Sequence, residues 1–158
     1  MSTRDKNLSS YNPAGVPFSR GKRIGISLAV WNEEVTGKLH QGATETLIKH
    51  GVKKEDIITF RVPGSFELPL GAQRLMEEEG VDAVICLGCV VQGETRHFDF
   101  ICQGVTRGIM DLNLKFGKPV IFGVLTTENQ GQALDRTGGK HGNKGTEAAV
   151  TALQMLNL

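Results

Sequence analysis

The segment DAVICLGCVV, residues 82–91, constrains the fold more than any other, because it is apolar at nearly every position and rich in β-branched side chains. A strand with one solvated face alternates apolar and polar residues, so an unbroken run of this kind belongs in a parallel sheet with helices over both faces. Three further runs share the character: RIGISLAV at 23–30, DIITFRV at 56–62 and PVIFGVLTT at 119–127. Helical periodicity fills the gaps between them. Leu39, Ala43 and Leu47 recur at i, i+4 and i+8, in a segment that Asn32 is suited to cap, with Glu33 and Glu34 in the first turn and Gly51 as its stop. Leu68, Ala72, Leu75 and Met76 form a second stripe, closed by Gly80, and Ile101, Val105, Ile109, Leu112 and Phe116 form a third. Two helical segments end the chain, a short one around residues 130–136 and one from Gly145. Strands alternating with helices imply right-handed βαβ crossovers. The expected fold is a flavodoxin-like, three-layer α/β/α sandwich around a four-stranded parallel sheet, with room for an edge strand from the N-terminal arm.

That arm, residues 1–22, is polar, carries two prolines and has no sustained periodicity, so it reads as an extension and not as a core element. Residues 23–158 then read as one domain, a length that a single core can support. The formal net charge of the 158 residues is +1, with lysines and arginines scattered, which leaves no extended basic field for nucleic acid. The longest apolar stretch is far short of the roughly 20 residues that span a bilayer, and the N-terminus has no apolar signal region. No membrane contact and a cytoplasmic location are expected. Cys86, Cys89 and Cys102 sit in apolar contexts and read as reduced thiols. The C-x-x-C spacing of the first two puts them on opposite faces of a strand, where they neither bridge nor chelate.

In sheets of this kind ligands gather outside the carboxyl ends of the strands. The rule nominates Trp31 and Asn32 after the first strand, PGSFE at 63–67 after the second, QGETRH at 92–97 after the third, and Thr126, Thr127 and Glu128 after the fourth, all expected on one rim. Trp31 either stacks on a heterocycle or plugs the end of the sheet. The stretch around Ser65, Phe66 and Glu67 brings a turn, a hydroxyl and a carboxylate to a helix entrance, where capping is the first role to expect of Glu67. In the third loop, Gly93 permits close approach, and the N–H groups of Glu94 and Thr95 are expected to open the following helix as an anion site. His97 offers an imidazole, the side chain that titrates near neutral pH, with Asp99 either orienting it or capping the helix. The glycine-rich segment DRTGGKHGNKG, residues 135–145, holds Arg136, Lys140, His141 and Lys144. It is either a phosphate clamp or an interhelical connection with solvated charges, and it is not a P-loop, because the G-x-x-x-x-G-K-[ST] pattern is absent.

Taken in order, WN after the first strand, VPGSFELP after the second, the GxxxxGxTxHFD pattern across the third, FGVLTT on the fourth and GGKHGNKGTEAA before the last helix resemble the 6,7-dimethyl-8-ribityllumazine synthase family over residues 23–158. The resemblance implies a transferase that condenses 5-amino-6-(D-ribitylamino)uracil with 3,4-dihydroxy-2-butanone 4-phosphate in the penultimate step of riboflavin biosynthesis, with no metal or redox cofactor. It implies that Trp31 stacks on the pyrimidine, that Ser65, Phe66 and Glu67 line the ribityl site, and that the backbone at Cys89, Val90 and Val91 meets the pyrimidine edge. Glu94 and Thr95 are implied to hold the phosphate with Arg136, Lys144 to lie near it, and His97 to transfer protons. Phe122 and Arg136 are implied to come from a neighbouring subunit of a pentamer-based homo-oligomer, up to a shell of twelve pentamers, with association with riboflavin synthase. In that family pentamers, pairs of pentamers and shells of twelve pentamers occur, and the absence of an insertion in GGKHGNKG is compatible there with the shell, which is the assembly expected. Many members carry Arg and a small residue where this chain has Gln92 and Glu94. A carboxylate beside a phosphate is unfavourable unless it turns away, so the backbone of Glu94 is the expected ligand and not its side chain.

Two other classes of function fit parts of the pattern. A flavin- or nucleotide-holding module explains the sheet and the phosphate-friendly loops but leaves His97 and the basic segment unused. A phosphosugar isomerase or aldolase needs a lysine or cysteine on the rim, and neither is read among the strand-end residues.

Overall fold

The structure, a computed structural model, describes residues 7–158. Four strands, β1 (Ile24–Ala29), β2 (Ile57–Val62), β3 (Ala83–Val91) and β4 (Val120–Thr127), form a parallel sheet in the order β2-β1-β3-β4. Among the described residues five α-helices accompany them: α1 (Glu33–Lys49), α2 (Leu68–Glu78), α3 (His97–Phe116), the short α4 (Gln130–Leu134) and α5 (Lys144–Met155). The expected three-layer α/β/α arrangement is what forms. Leu39, Ala43 and Leu47 of α1 and Ala149, Ala152 and Leu153 of α5 cover one face, packed on Ile24, Ile26, Leu28, Ile85 and Leu87. Leu68, Ala72 and Leu75 of α2 and Val105 and Ile109 of α3 cover the other, packed on Val84, Cys86, Val120 and Val124. Full burial of each leucine in these stripes is worth about 1.5–3 kcal/mol, which is why the stripes, and not helix propensity, set the layer each helix joins.

Cys86 and Cys89 fall in opposite cores, as the strand period requires, and Cys86, Cys89 and Cys102 are all unpaired. The polar Ser27 in the buried β1 is satisfied by donating to the Leu68 carbonyl at 3.1 Å. Layer spacing between α1 and α5 is set by Gly145, whose missing Cβ leaves room for the Leu39 carbonyl. Asn143 supplies the cap of α5, accepting from the Gly145 and Thr146 N–H groups at 2.8 and 3.4 Å.

Four expectations change. The arm adds no strand to the sheet among the described residues: β2 remains its edge, and residues 1–6 of the arm lie outside the described residues. Residues 7–22 instead fold over the α1/α5 layer, with Val16 and Ser19 buried and the Tyr11 hydroxyl 3.1 Å from His50 Nε2. Val16 and Tyr11 pack on the α1/α5 core, and the Phe18 ring lies against Gly51. Residues 137–143, read as a loop, form a small antiparallel ribbon of β5 (Thr137–Gly139) and β6 (Gly142–Asn143). Asn32 occupies the N-cap position of α1, but its side chain makes no capping hydrogen bond, because the residue is left-handed with φ 62° and ψ 46°. Among the described residues no helix is long and apolar enough to cross a membrane.

Candidate active site

The parallel register aligns the strand ends at one edge of the sheet. Ala29 pairs with Val62 and Val91 with Thr127, while β1 pairs with β3 only as far as Leu28 opposite Leu87. The last residues of β3 therefore run past β1, and the loops after β1 and β2 fold in over that overhang. They enclose a cavity of about 650 Å³ lined by Trp31, Asn32, Gly64, Ser65, Phe66, Glu67, Cys89, Val90, Val91, His97 and Ile101. This is within the usual size range of a small-molecule site.

Trp31 is 73% exposed, which argues against the reading of it as a plug: its indole stands open at the cavity, and its backbone donates to the Pro63 carbonyl at 3.0 Å. Phe66 is also exposed, although the edge of its ring rests on α3 at Gly104. Glu67 Oε2 accepts the Gly64 N–H at 3.0 Å. The capping role is thus real, and the same carboxylate borders the cavity. Ser65 is buried against Gly88, where a Cβ would come within 2.6 Å of its hydroxyl, so β3 needs a glycine there for the turn to sit this close.

His97 is exposed at the cavity edge and is the first residue of α3. Here the sequence expectation needs correcting. Glu94 and Thr95 do not open the helix: they form an exposed bend ahead of its cap residue, Arg96. The Thr95 hydroxyl accepts the His97 N–H at 3.4 Å, a local side-chain turn that delays the helix by two residues. Asp99 turns to Arg96, with Oδ2 3.4 Å from Nε, and so serves the helix entrance instead of the imidazole.

The fourth strand end does not join this rim. Thr127 is buried, and Thr126 lines a separate, more open cavity of about 750 Å³ with Phe122, Cys102, Arg107 and Met110. Arg136 lies after α4, its guanidinium donating to the Gln132 carbonyl at 2.9 Å. Lys144 Nζ is 2.7 Å from Glu147 Oε1. None of Glu94, Thr95, Phe122, Arg136 and Lys144 lines the Trp31 cavity of the same chain.

Ile101 and Cys89 line the cavity although the reading of the strand ends did not place them there. Ile101 was counted in the buried stripe of α3, yet it is half-buried and faces the cavity one turn after His97, a spacing that could have marked it. Gly64 lines it as part of the PGSFE loop expected on the rim. Cys89 does sit on the cavity wall, contrary to the expectation that no cysteine reaches the rim, but burial pushes its thiol up to about 11 and that of Cys86 to about 12. Neither is a thiolate nucleophile at neutral pH.

This geometry defines a parallel α/β protein with an aromatic-walled small-molecule cavity at the carboxyl ends of its central strands and an imidazole at the cavity edge. The family model described as 6,7-dimethyl-8-ribityllumazine synthase matches residues 21–158. Proteins named 6,7-dimethyl-8-ribityllumazine synthase from Cytophaga hutchinsonii, Parabacteroides distasonis and Porphyromonas gingivalis are 64%, 56% and 56% identical to the chain, covering 99%, 99% and 100% of it and 98% of each relative. The chain belongs to the 6,7-dimethyl-8-ribityllumazine synthase family, and it is an enzyme of the transferase class.

Proposed function

We propose that the enzyme condenses 5-amino-6-(D-ribitylamino)uracil with 3,4-dihydroxy-2-butanone 4-phosphate to give 6,7-dimethyl-8-ribityllumazine, phosphate and water, the penultimate step of riboflavin biosynthesis, in the cytoplasm. The observation that carries the reading is the convergence of the exposed Trp31, the Ser65–Glu67 turn, the end of β3 and His97 on one cavity. In this reading Trp31 stacks on the pyrimidine, Ser65, Phe66 and Glu67 hold the ribityl chain, and the Cys89–Val91 backbone meets the pyrimidine edge. The reaction requires imine formation, loss of phosphate, tautomerisation and ring closure. All of these depend on proton movement and on holding two reactants together, for which a positioned imidazole and an ordered cavity are suited. His97 carries the protons. The bend at Glu94 and Thr95, adjacent to His97, presents backbone N–H groups to the phosphate, and the exposed Glu94 side chain is free to turn away from it.

Arg136 and Phe122 complete the site from a neighbouring chain, and Lys144, now paired with Glu147, lies close to that phosphate. A pentamer is the unit that supplies such neighbours. The separation of Phe122 from the Trp31 cavity within one chain supports the reading, as do the exposed Phe100, Met110 and Leu114 on α3. Assembly of pentamers into a shell, and association with riboflavin synthase, extend the same proposal, and light scattering after size-exclusion chromatography distinguishes five or ten chains from sixty. The activity is tested by mixing the purified protein with both substrates and following lumazine absorbance and fluorescence. Product formed no faster than in the protein-free control refutes it.

A further inference from the structure

We propose that Asn32 is a positioning residue: its left-handed backbone and its side-chain amide together hold the Trp31 indole over the cavity by tying the end of β1 to the overhanging end of β3. Asn32 is, among the described residues, the one non-glycine with positive φ. Left-handed backbone is disfavoured for L-residues and tolerated best by Asn and Asp, and where it persists at a cavity it marks a geometry the surroundings enforce. At the N-cap of α1 a side-chain amide ordinarily folds onto the first-turn N–H groups. Here it makes no such bond. Asn32 Nδ2 instead donates to the Cys89 carbonyl at 3.0 Å, 57 residues away in sequence.

The acceptor is available because pairing between β1 and β3 ends at Leu28 and Leu87, leaving the Cys89 carbonyl beyond the last rung. The Ser65 hydroxyl approaches the same oxygen at 3.5 Å. One carbonyl of β3 therefore receives donors from both loops that bring aromatic rings to the cavity. Trp31, between the Pro63 anchor and Asn32, has little packing of its own, so its orientation follows from these backbone fixtures. The inference rests on the proposed stacking role of Trp31 for its kinetic consequence, but its physical content concerns the order of the indole and is independent of turnover.

Trp31 is the chain's single tryptophan, so its emission reports on it alone. The test compares Asn32→Gly, which keeps the left-handed conformation and removes the amide, with Asn32→Asp, which keeps shape and conformation but presents a carboxylate that cannot donate to the carbonyl. Time-resolved anisotropy of the substrate-free assembled protein is expected to gain a nanosecond component in both variants. In turnover, KM for the pyrimidine rises about five- to tenfold, the scale of one lost neutral hydrogen bond, with kcat within about twofold and KM for the phosphate substrate unchanged. Wild-type anisotropy in Asn32→Gly overturns the proposal. So does a uniform change in Tm, kcat and both KM values, which would make Asn32 a general structural residue. Absence of turnover in the wild-type protein would count against the proposed function, while the anisotropy would still decide the role of Asn32.

Discussion

Trp31→Ala separates a stacking face from a structural plug, and the structure sets the size of the effect. A tryptophan side chain presents up to about 250 Å², and at 73% exposure roughly 180 Å² of Trp31 is open. A stacked heterocycle covers one face, about half of that. Some 90 Å² of apolar surface at about 25 cal/mol per Å² corresponds to about 2.3 kcal/mol, or a weakening of about 50-fold. Folding should barely notice the change. Trp31 lies beyond both cores, so Tm is expected to fall by about 3 °C or less. Isothermal titration calorimetry with the pyrimidine substrate measures the affinity and differential scanning calorimetry the Tm, with Trp31→Phe expected between wild type and Trp31→Ala. Affinity within threefold of wild type refutes stacking. A fall in Tm of more than about 6 °C, with affinity intact in the folded fraction, restores the plug.

His97→Ala is expected to lower kcat by roughly 10- to 100-fold, below the upper end of general acid–base effects because the substrates remain positioned. Steady-state kinetics checks this, and an unchanged kcat removes His97 from proton transfer. His50 is 4% exposed, and its pKa is lowered from 6.5 by burial and then by Lys49, so the folded protein binds its proton less readily than the unfolded chain does. The associated stability is complete above about pH 6.5 and is lost as pH falls below it; His40, lowered by burial and then Arg61, acts in the same direction. Calorimetry from pH 7.5 to 5.5 should show Tm falling, with a shallower fall in His50→Gln. Finally, His97→Ala and Arg136→Ala chains, each impaired alone, should regain activity when refolded together. With random mixing in a ring, about one quarter of the sites receive an intact His97 and an intact Arg136 from different chains, whereas a site built within one chain regains nothing.

The fold was legible where burial is two-sided. A strand covered on both faces has to be apolar throughout, so β1, β3 and β4 announced themselves, and the stripes of α1, α2 and α3 followed from the single face each helix buries. β2 was also found, although it is the half-buried edge, because its composition is β-branched and aromatic. The failures have a common cause in backbone conformation that no periodicity records. The ribbon of β5 and β6 has strands of three and two residues, which contain Gly138 and Gly142 at φ 112° and 77°. No alternating pattern can develop over that length. Asn32 read as a helix cap because Asn usually is one, and its diversion to Cys89 depends on how far β3 overhangs β1, which is a matter of register. Val16 and Tyr11 pack on the core, but the arm's apolar residues follow no sustained period, so nothing in the pattern signalled burial.

The candidate site itself was legible for a topological reason. In a parallel sheet every strand delivers its following loop to the same edge, so naming the strands named Trp31, Ser65, Glu67 and His97 together. The rule fails for Thr126 and Thr127 because the loop after β4 leads into α4, whose Ala133 packs in the α1/α5 core, while Thr126 itself lines the separate cavity against α3. That outward face carries Phe122 with Met110, and α3 adds the exposed Phe100 and Leu114. Such a surface is apolar in excess of what a lone chain needs. Phe122 lies in that outward cavity and not in the Trp31 cavity, which is the placement the proposed contribution to a neighbouring copy requires. The proposed site shared between copies is consistent with this placement: three strand ends line the cavity, and β4 lines a separate one.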